Sequence, residues 1–317
     1  MKSVTIIISH YESLPFLKTC IRQIQKHKHP DIEQRVLVLD QSQSVIYHEL
    51  VEFLSNEGVD YTLCMESLYS GYGIDYAMRS HNINTDYVCQ LHADAFPISD
   101  KWLLAPITLM EENKLAFTGV LQFIAQGIES IYPPTKGVFG MAQCFNIGCT
   151  DTYKEMSLEG GFTRFHNRLN SGLTWNNNDW EEWAKPDYAN RGSDDDVPAF
   201  FWEDNHREHD KLSFGFTGKI GVDGEESNYG TIIEDLVFHF GYHREAVGVM
   251  PQMGAKYREW TRRINENYSD ELISEMLVEA RKRPTKPENN RMFWNGTQKF
   301  ASRTSHTINQ RIESLKK

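Results

Sequence analysis

The stretch from residue 85 to residue 97 constrains the fold most strongly, because an apolar run there changes abruptly into a polar one. The apolar part is typical of a buried strand and contains Tyr87, Val88, Cys89 and Leu91. His92 and Asp94 follow, and Pro97, which has no N–H to donate to a sheet, is predicted to end the strand. In open α/β sheets, ligands bind at the carboxyl ends of the strands. The sequence therefore predicts a ligand site at Asp94, with His92 as a second candidate.

Strands and amphipathic helices alternate before this stretch. Residues 4–8, 36–39 and 60–65 predict strands, the first of them buried on both faces. One face of the first predicted helix carries Leu14, Leu17, Ile21 and Ile24. This alternation predicts a parallel sheet covered by helices on both faces. Three further elements are predicted downstream: a helix at residues 100–112, a strand at residues 115–123, and a pair of strands at a mixed sheet's edge at residues 138–147.

Polar side chains follow three of the predicted strands. Ser9 and His10 follow the first, Asp40 ends the second, and His92 and Asp94 end the strand described above. The carboxyl ends of parallel strands meet at one edge of the sheet, so we expect these side chains to converge. The alternative for Asp40 is that it only caps the following helix.

Composition excludes several classes of function. A formal net charge of −11 argues against a broad nucleic-acid-binding face. No apolar run approaches membrane-spanning length, and the N-terminus has no signal-peptide pattern, so we expect a cytoplasmic protein without a transmembrane segment. The cysteines are too few and too scattered for a disulfide framework, and Cys144 with Cys149 does not form a convincing metal motif.

Two glycines precede the central strand. Gly71 and Gly73 allow close backbone approach, and Ala77 and Met78 indicate that a helix begins near them. The pair is not the full glycine fingerprint and does not follow the first strand. This speaks against a dinucleotide-binding oxidoreductase.

Taken together, these segments resemble the family 2 glycosyltransferases of the GT-A fold. The similarity is carried by residues 5–9, 38–42, 71–77 and 86–94, the last of which is similar to the family's x-D-x-D signature. It covers residues 4–123 well and the remainder loosely. The resemblance implies an α/β, Rossmann-like mixed sheet flanked by helices, of the nucleotide-diphospho-sugar transferase type. It implies a catalytic domain at residues 1–250, with a nucleotide half (1–124) and an acceptor half (125–250), and a helical extension at residues 251–317.

The resemblance also implies a metal site for Mn²⁺ or Mg²⁺. Asp94 is the expected ligand, and His239 matches the family's C-terminal histidine best, with His243 second. His92 stands where the first aspartate of the signature is expected, and Gln41 where a second aspartate follows Asp40. An imidazole suits Mn²⁺ better than Mg²⁺, and the alternative is that His92 does not bind the ion. The implied nucleotide-sugar contacts are Ser9, His10, Tyr11, Asp40, Ser42, Gly71, Gly73, His92, Ala93 and Arg244, the last pairing with the diphosphate.

A catalytic base is implied after the aromatic residues 200–202. Asp204 would take the proton of the acceptor hydroxyl, with Glu203 as the alternate, and the competing acids are residues 194–196 and 234–235. Asparagine and tryptophan are frequent in residues 160–196, which suits sugar binding or a surface loop held by tryptophans.

The implied reaction moves a hexosyl or pentosyl unit from a nucleotide-diphosphate-sugar to a hydroxyl of a glycan, a lipid-linked molecule or another acceptor, with inversion. The alternatives are a non-catalytic sugar- or partner-binding protein and a nucleotidyltransferase, although the glycine-rich loop that the latter usually needs after the first strand is missing. The amphipathic residues from 252 onward are predicted to pack on the catalytic domain, to support a homodimer, or to contact an anionic membrane surface peripherally.

Overall fold

A computed structural model describes residues 1–42, 47–64, 70–123, 139–159, 211–212, 216–219, 230–241, 251–282, 284 and 293–294. The predicted alternation is present in its first part. The elements are β1 (Lys2–His10), α1 (Leu14–Lys26), β2 (Ile32–Asp40), α2 (Tyr47–Asn56), β3 (Asp60–Leu63), α3 (Ser70–Ser80) and β4 (Tyr87–His92). Next come β5 (Ala95–Pro97), α4 (Leu104–Asn113), β6 (Phe117–Phe123), β7 (Phe139–Cys149) and α5 (Thr150–Glu159).

The main sheet has six strands in the order β3-β2-β1-β4-β7-β6. β1, β2, β3 and β4 run parallel, whereas β7 is antiparallel to both β4 and β6. The predicted α/β class with a mixed sheet flanked by helices is therefore confirmed.

One prediction about this sheet is wrong. Residues 138–147 do not form a pair of strands at the edge, because β7 is a single strand that lies inside the sheet. Two glycines allow this close packing. A Cβ on Gly119 would lie 2.5 Å from the Asn146 Cβ, and a Cβ on Gly148 would lie 2.8 Å from the Phe117 Cβ.

Both faces of the sheet are buried, as the apolar runs predicted. On one face, Ile6 and Ile8 of β1 belong to the same core as the apolar stripe of α1. On the other face, Ile7 packs with residues of α3 and α5, among them Ile74 and Tyr153. Alternation along β1 therefore sends neighbouring side chains into two separate cores.

A second sheet joins the end of this region to a distant part of the chain. It has the order β5-β11-β10-β9, with β9 (Phe216–Lys219), β10 (Thr231–Ile233) and β11 (Val237–His239). The central apolar stretch is therefore two strands, because β4 stops at His92 and the chain then enters β5. Pro97 ends β5, an outer strand of this sheet, where its missing N–H is tolerated. A two-stranded pair links β8 (Lys211–Leu212) and β12 (Phe293–Trp294).

Two helices, α6 (Pro251–Glu266) and α7 (Asp270–Ala280), form the described part of the C-terminal region. The apolar stripe of α7 is buried at Leu272, Ile273, Met276 and Ala280, so it packs within the chain. Asp270 at the start of α7 accepts from Lys26 and Gln23 of α1 at 2.9 and 3.0 Å. Among the helices in the described ranges, none has the length and apolarity to cross a membrane.

Candidate metal and nucleotide site

The register of the parallel strands brings the predicted polar strand ends to one edge of the sheet. His10 at the end of β1 lies beside Asp40 at the end of β2. On the other side of β1, Ser9 lies beside His92 at the end of β4. Asp40 and His92 are therefore two strand spacings apart, which is about 10 Å.

His10 and Asp40 form a buried pair. The His10 Nδ1 lies 2.7 Å from the Asp40 Oδ1, and both side chains are at most 1% exposed. The backbone N–H of Ser13 donates to the His10 Nε2 at 3.1 Å, so this nitrogen carries no proton. With Nε2 accepting, Nδ1 is the ring nitrogen that donates to the Asp40 carboxylate.

Asp40 also holds the loop after β2. Its Oδ1 accepts from the Ser42 N–H at 3.2 Å, and the Ser42 Oγ accepts from the Glu12 N–H at 2.7 Å. Glu12 has a φ of 46°, a strained value for a residue with a side chain. Among the described residues, the buried Asp40 Oδ2 has no hydrogen-bond partner. An unpaired buried carboxylate oxygen is costly, so this atom is suited to accept from a ligand.

His92, Asp94 and His239 form the second part of the site. The Asp94 Oδ1 lies 3.8 Å from the His92 Nδ1 and 3.6 Å from the His239 Nε2. One ligand atom from each residue lies within 4.8 Å of the other two. Two ligands at about 2.1 Å from one transition-metal ion lie at most about 4.2 Å apart, so small side-chain shifts would fit the three atoms to an ion. This donor set therefore fits a divalent cation.

The second sheet places His239 in this cluster. His239 in β11 pairs with Ala95 in β5, and the Phe240 N–H donates to the Asp94 carbonyl at 2.9 Å. The side chain of His239 is 4% exposed, that of Asp94 12%, and that of His92 37%. The cluster is therefore closed on the side of β11 and open at His92.

The charge of Asp94 affects its neighbours. Burial lowers the pKa of His239, but Cys144 and the Asp94 carboxylate raise it, and the net result lies well above the ordinary value. Burial, followed by the charge of Asp94, raises the pKa of the Cys20 thiol well above its ordinary value. A cation at Asp94 would oppose both effects, because it neutralises the carboxylate.

Sequence reasoning missed the position of Cys144. Leu91 pairs with Phe145, so Cys144 of β7 occupies the next position, opposite His92, and its side chain contacts His239. The sequence indicated only that Cys144 lies in an apolar strand. It did not show that this strand pairs with β4. Cys144 is buried and supports the imidazole of His239 from the side of the main sheet.

Other predicted site residues are distributed as follows. Gly71 and Gly73 lie in the first turn of α3, Ala93 is buried between the two ligands, and Tyr11 is 47% exposed. Glu234 and Asp235, two of the competing acids, form the turn between β10 and β11. Asp235 is four residues from His239, roughly 13 Å along an extended strand. The remaining predicted site residues, Glu203, Asp204, His243, Arg244 and residues 194–196, lie outside the described residues.

The fold and the site define a mixed α/β protein in which three side chains able to hold a cation lie together at the carboxyl end of a central strand. No protein-family model matches the chain, and no curated protein sequence does.

Several solved structures are similar to the chain. A mannosyltransferase from Pyrobaculum calidifontis, in complex with GDP-Man and Mn²⁺, is 12% identical with a TM-score of 0.37, over 51% of this chain and 50% of that one. S. aureus TarS 1-349 is 15% identical with a TM-score of 0.38, over 54% and 56%. A glucosyl-3-phosphoglycerate synthase from Mycobacterium tuberculosis in complex with UDP is 9% identical with a TM-score of 0.37, over 48% and 58%. The chain spans about half the length of these structures.

Proposed function

We propose that the protein is a metal-dependent glycosyltransferase that moves a sugar from a nucleotide-diphosphate-sugar to an acceptor hydroxyl. The observation that carries the proposal is the position of two sites on one sheet edge. The cluster of His92, Asp94 and His239 lies beside β1 on one side, and the His10–Asp40 pair lies on the other. A nucleoside diphosphate can bridge this distance, with its base or ribose at Asp40 and its diphosphate at Asp94.

Each described part of the site has a role in this reaction. Asp94, His239 and His92 would hold Mn²⁺ or Mg²⁺, which would neutralise the departing diphosphate. Asp40 would accept a hydrogen bond from the nucleoside through its Oδ2, while His10 and Ser42 fix its other oxygen. Ser9 and the exposed Tyr11 would contact the nucleoside from the loop after β1.

The chemical step uses residues that the sequence resemblance proposes. The acceptor oxygen would bond to the anomeric carbon as the bond from that carbon to the diphosphate breaks. Asp204 would take the acceptor's proton, with Glu203 as the alternate, and Arg244 and the glycines Gly71 and Gly73 would contact the diphosphate. A single displacement of this kind inverts the anomeric configuration.

Thermal unfolding with UDP or GDP tests the binding half of this proposal. A ligand at 100 times its Kd stabilises the folded protein by about 2.7 kcal/mol. We expect a stabilisation of this size with Mn²⁺ or Mg²⁺ present. Without an ion the stabilisation should be much smaller, because the diphosphate then binds more weakly. Asp94→Asn should lose the ion-dependent part. Asp31→Asn is the matched control, because the Asp31 side chain is 79% exposed and lies outside the site. Equal stabilisation without an ion, or in the Asp94 variant, would refute the ion site.

Incubation with a panel of nucleotide-sugars tests the chemical half. Release of nucleoside diphosphate with transfer to a hydroxyl is expected for the wild type, and Asp204→Asn should abolish transfer while donor binding persists. Retained transfer in that variant refutes the role of Asp204. Ion-dependent nucleotide binding without transfer or hydrolysis of any donor would instead support the non-catalytic alternative.

A further inference from the structure

We infer that His92 makes the ion site selective for a first-row transition ion, of the Mn²⁺, Fe²⁺, Co²⁺ or Zn²⁺ class, over Mg²⁺. The inference rests on the proposed function, because it concerns the same ion. The proposed function leaves Mn²⁺ and Mg²⁺ as equal candidates. The inference favours Mn²⁺ and assigns this selectivity to the His92 side chain.

The composition of the donor set is the first argument. The cluster offers two imidazole nitrogens and one carboxylate oxygen. Within the parts of the chain that the structure describes, no second carboxylate belongs to the cluster. Imidazole nitrogen suits transition ions, whereas Mg²⁺ requires oxygen ligands in a near-ideal octahedron and usually keeps several waters. Two histidines and one carboxylate are a known donor set for Fe²⁺.

The position of His92 is the second argument. Its Nδ1 is about as far from the Asp94 Oδ1 as the His239 Nε2 is, at 3.8 against 3.6 Å. The rings of His92 and His239 are 5.7 Å apart and inclined by 64°, so they do not stack face to face on each other. The two nitrogens therefore lie at similar distances from the same carboxylate oxygen, and each can contribute one ligand to an ion beside it.

The rigidity of the backbone is the third argument. His92 is the last residue of β4, held by parallel pairing with Ser9, and His239 is the last residue of β11, held by pairing with Ala95. Ligands on paired strands are positioned before the ion arrives, so a site with this geometry discriminates between ions more strongly than a flexible loop does.

Substitution of one donor atom tests the inference with metal alone. His92→Asp replaces a nitrogen ligand by an oxygen ligand at a position that is 37% exposed, where an aspartate can be accommodated. His92→Ala removes the donor altogether and serves as the second variant. His29→Asp is the control, because it makes the same replacement at a histidine outside the cluster, beside Asp31, whose side chain is 16% exposed. Circular dichroism and a thermal melt establish that each variant is folded.

The measurements are titrations of the full chain with Co²⁺, Mn²⁺ and Mg²⁺ by calorimetry and chelator competition, together with the visible absorption of bound Co²⁺. For the wild type we expect tighter binding of Co²⁺ and Mn²⁺ than of Mg²⁺. Loss of a residue that only supports a metal ligand typically weakens metal binding roughly 10- to 100-fold. We therefore expect His92→Asp, which changes a ligand itself, to weaken Co²⁺ binding by at least this factor. The effect on Mg²⁺ binding should be smaller. The Co²⁺ absorption bands of His92→Asp should move as nitrogen is replaced by oxygen, and His29→Asp should match the wild type.

Two negative results are distinguishable. If the wild type binds Co²⁺ and the ratio of Co²⁺ to Mg²⁺ affinity is the same in His92→Asp, the role of His92 is overturned while the ion site at Asp94 and His239 stands. If the folded wild type binds none of the three ions, with or without UDP or GDP, both the inference and the ion site of the proposed function are overturned.

Discussion

Replacement of Asp40 by asparagine separates the structural role of this buried residue from its proposed role in binding. The asparagine oxygen can keep both hydrogen bonds that the Asp40 Oδ1 accepts, from His10 and from Ser42. The amide nitrogen then takes the place of Oδ2, which has no partner among the described residues. One acceptor therefore becomes a donor, at nearly constant shape.

The structure predicts a small effect of this substitution on stability and a large effect on nucleotide binding. Two charge-assisted hydrogen bonds become neutral, which costs about 1–1.5 kcal/mol each, but a buried charge that costs several kcal/mol is removed. We therefore expect the free energy of unfolding to change by no more than about 2 kcal/mol. A nucleoside N–H that donates to Oδ2 would lose a charged hydrogen bond worth about 1.5–3 kcal/mol, which weakens binding roughly 10- to 140-fold.

The assay is calorimetric titration of the Asp40→Asn variant with UDP and GDP in the presence of Mn²⁺, alongside urea unfolding. The Asp31→Asn variant controls for the loss of one carboxylate, because Asp31 is exposed and distant from this pair. A folded Asp40→Asn variant that binds both nucleotides as tightly as the wild type would show that Asp40 only supports the loop after β2.

Two further predictions concern stability. Lys114 follows the last residue of α4, is exposed, and has a left-handed backbone with a φ of 55°. Glycine adopts this conformation without strain, so Lys114→Gly should raise the free energy of unfolding in urea by about 0.5–1 kcal/mol. Lys114→Ala keeps the strained φ and should give no increase. A lower stability of the glycine variant contradicts this. Hydrogen bonds from Lys26 and then Tyr268 lower the pKa of Asp270 to about 2 from its ordinary 3.8. A lowered folded-state pKa means that this carboxylate stabilises the fold fully above pH 4 and loses its effect as the pH falls toward 2. Asp270 is about half exposed, so Asp270→Asn should lower the free energy of unfolding at pH 6 by only about 0.5–1 kcal/mol. In urea unfolding, the difference in stability between this variant and the wild type should shrink from pH 4 to pH 3. A difference that stays constant over this range would contradict the stabilising role of the Asp270 carboxylate.

The strands and their polar ends were predictable because each is a local pattern. Apolar β-branched runs placed β1 and β2, and an abrupt change to polar residues marked His10, Asp40 and His92 at their ends. The convergence of these ends followed from parallel pairing alone. Periodicity gave strands but no order within the sheet, so the insertion of β7 between β4 and β6 was missed.

The internal arrangement of the site was not predictable in the same way. The register aligns His10 with Asp40, and its two ring nitrogens bond to Asp40 and to the Ser13 N–H, a pairing that the sequence did not show; its contact with the nucleotide-sugar stays a prediction. A shift of one residue in the register would turn the imidazole to the other face of the sheet. Such choices depend on long-range packing, and so does the contact of Cys144 with His239.

The short pairing of β5 with β11 determines when the proposed cation site can form during folding. Asp94 is followed at once by β5, whereas its partner His239 comes from a strand much later in the chain. A polypeptide truncated before β11 would contain two of the three donor groups and could not complete the cluster. If the proposed cation binds there, its binding requires the later segment to have docked, and the ion would stabilise the contact between the early and late parts of the polypeptide.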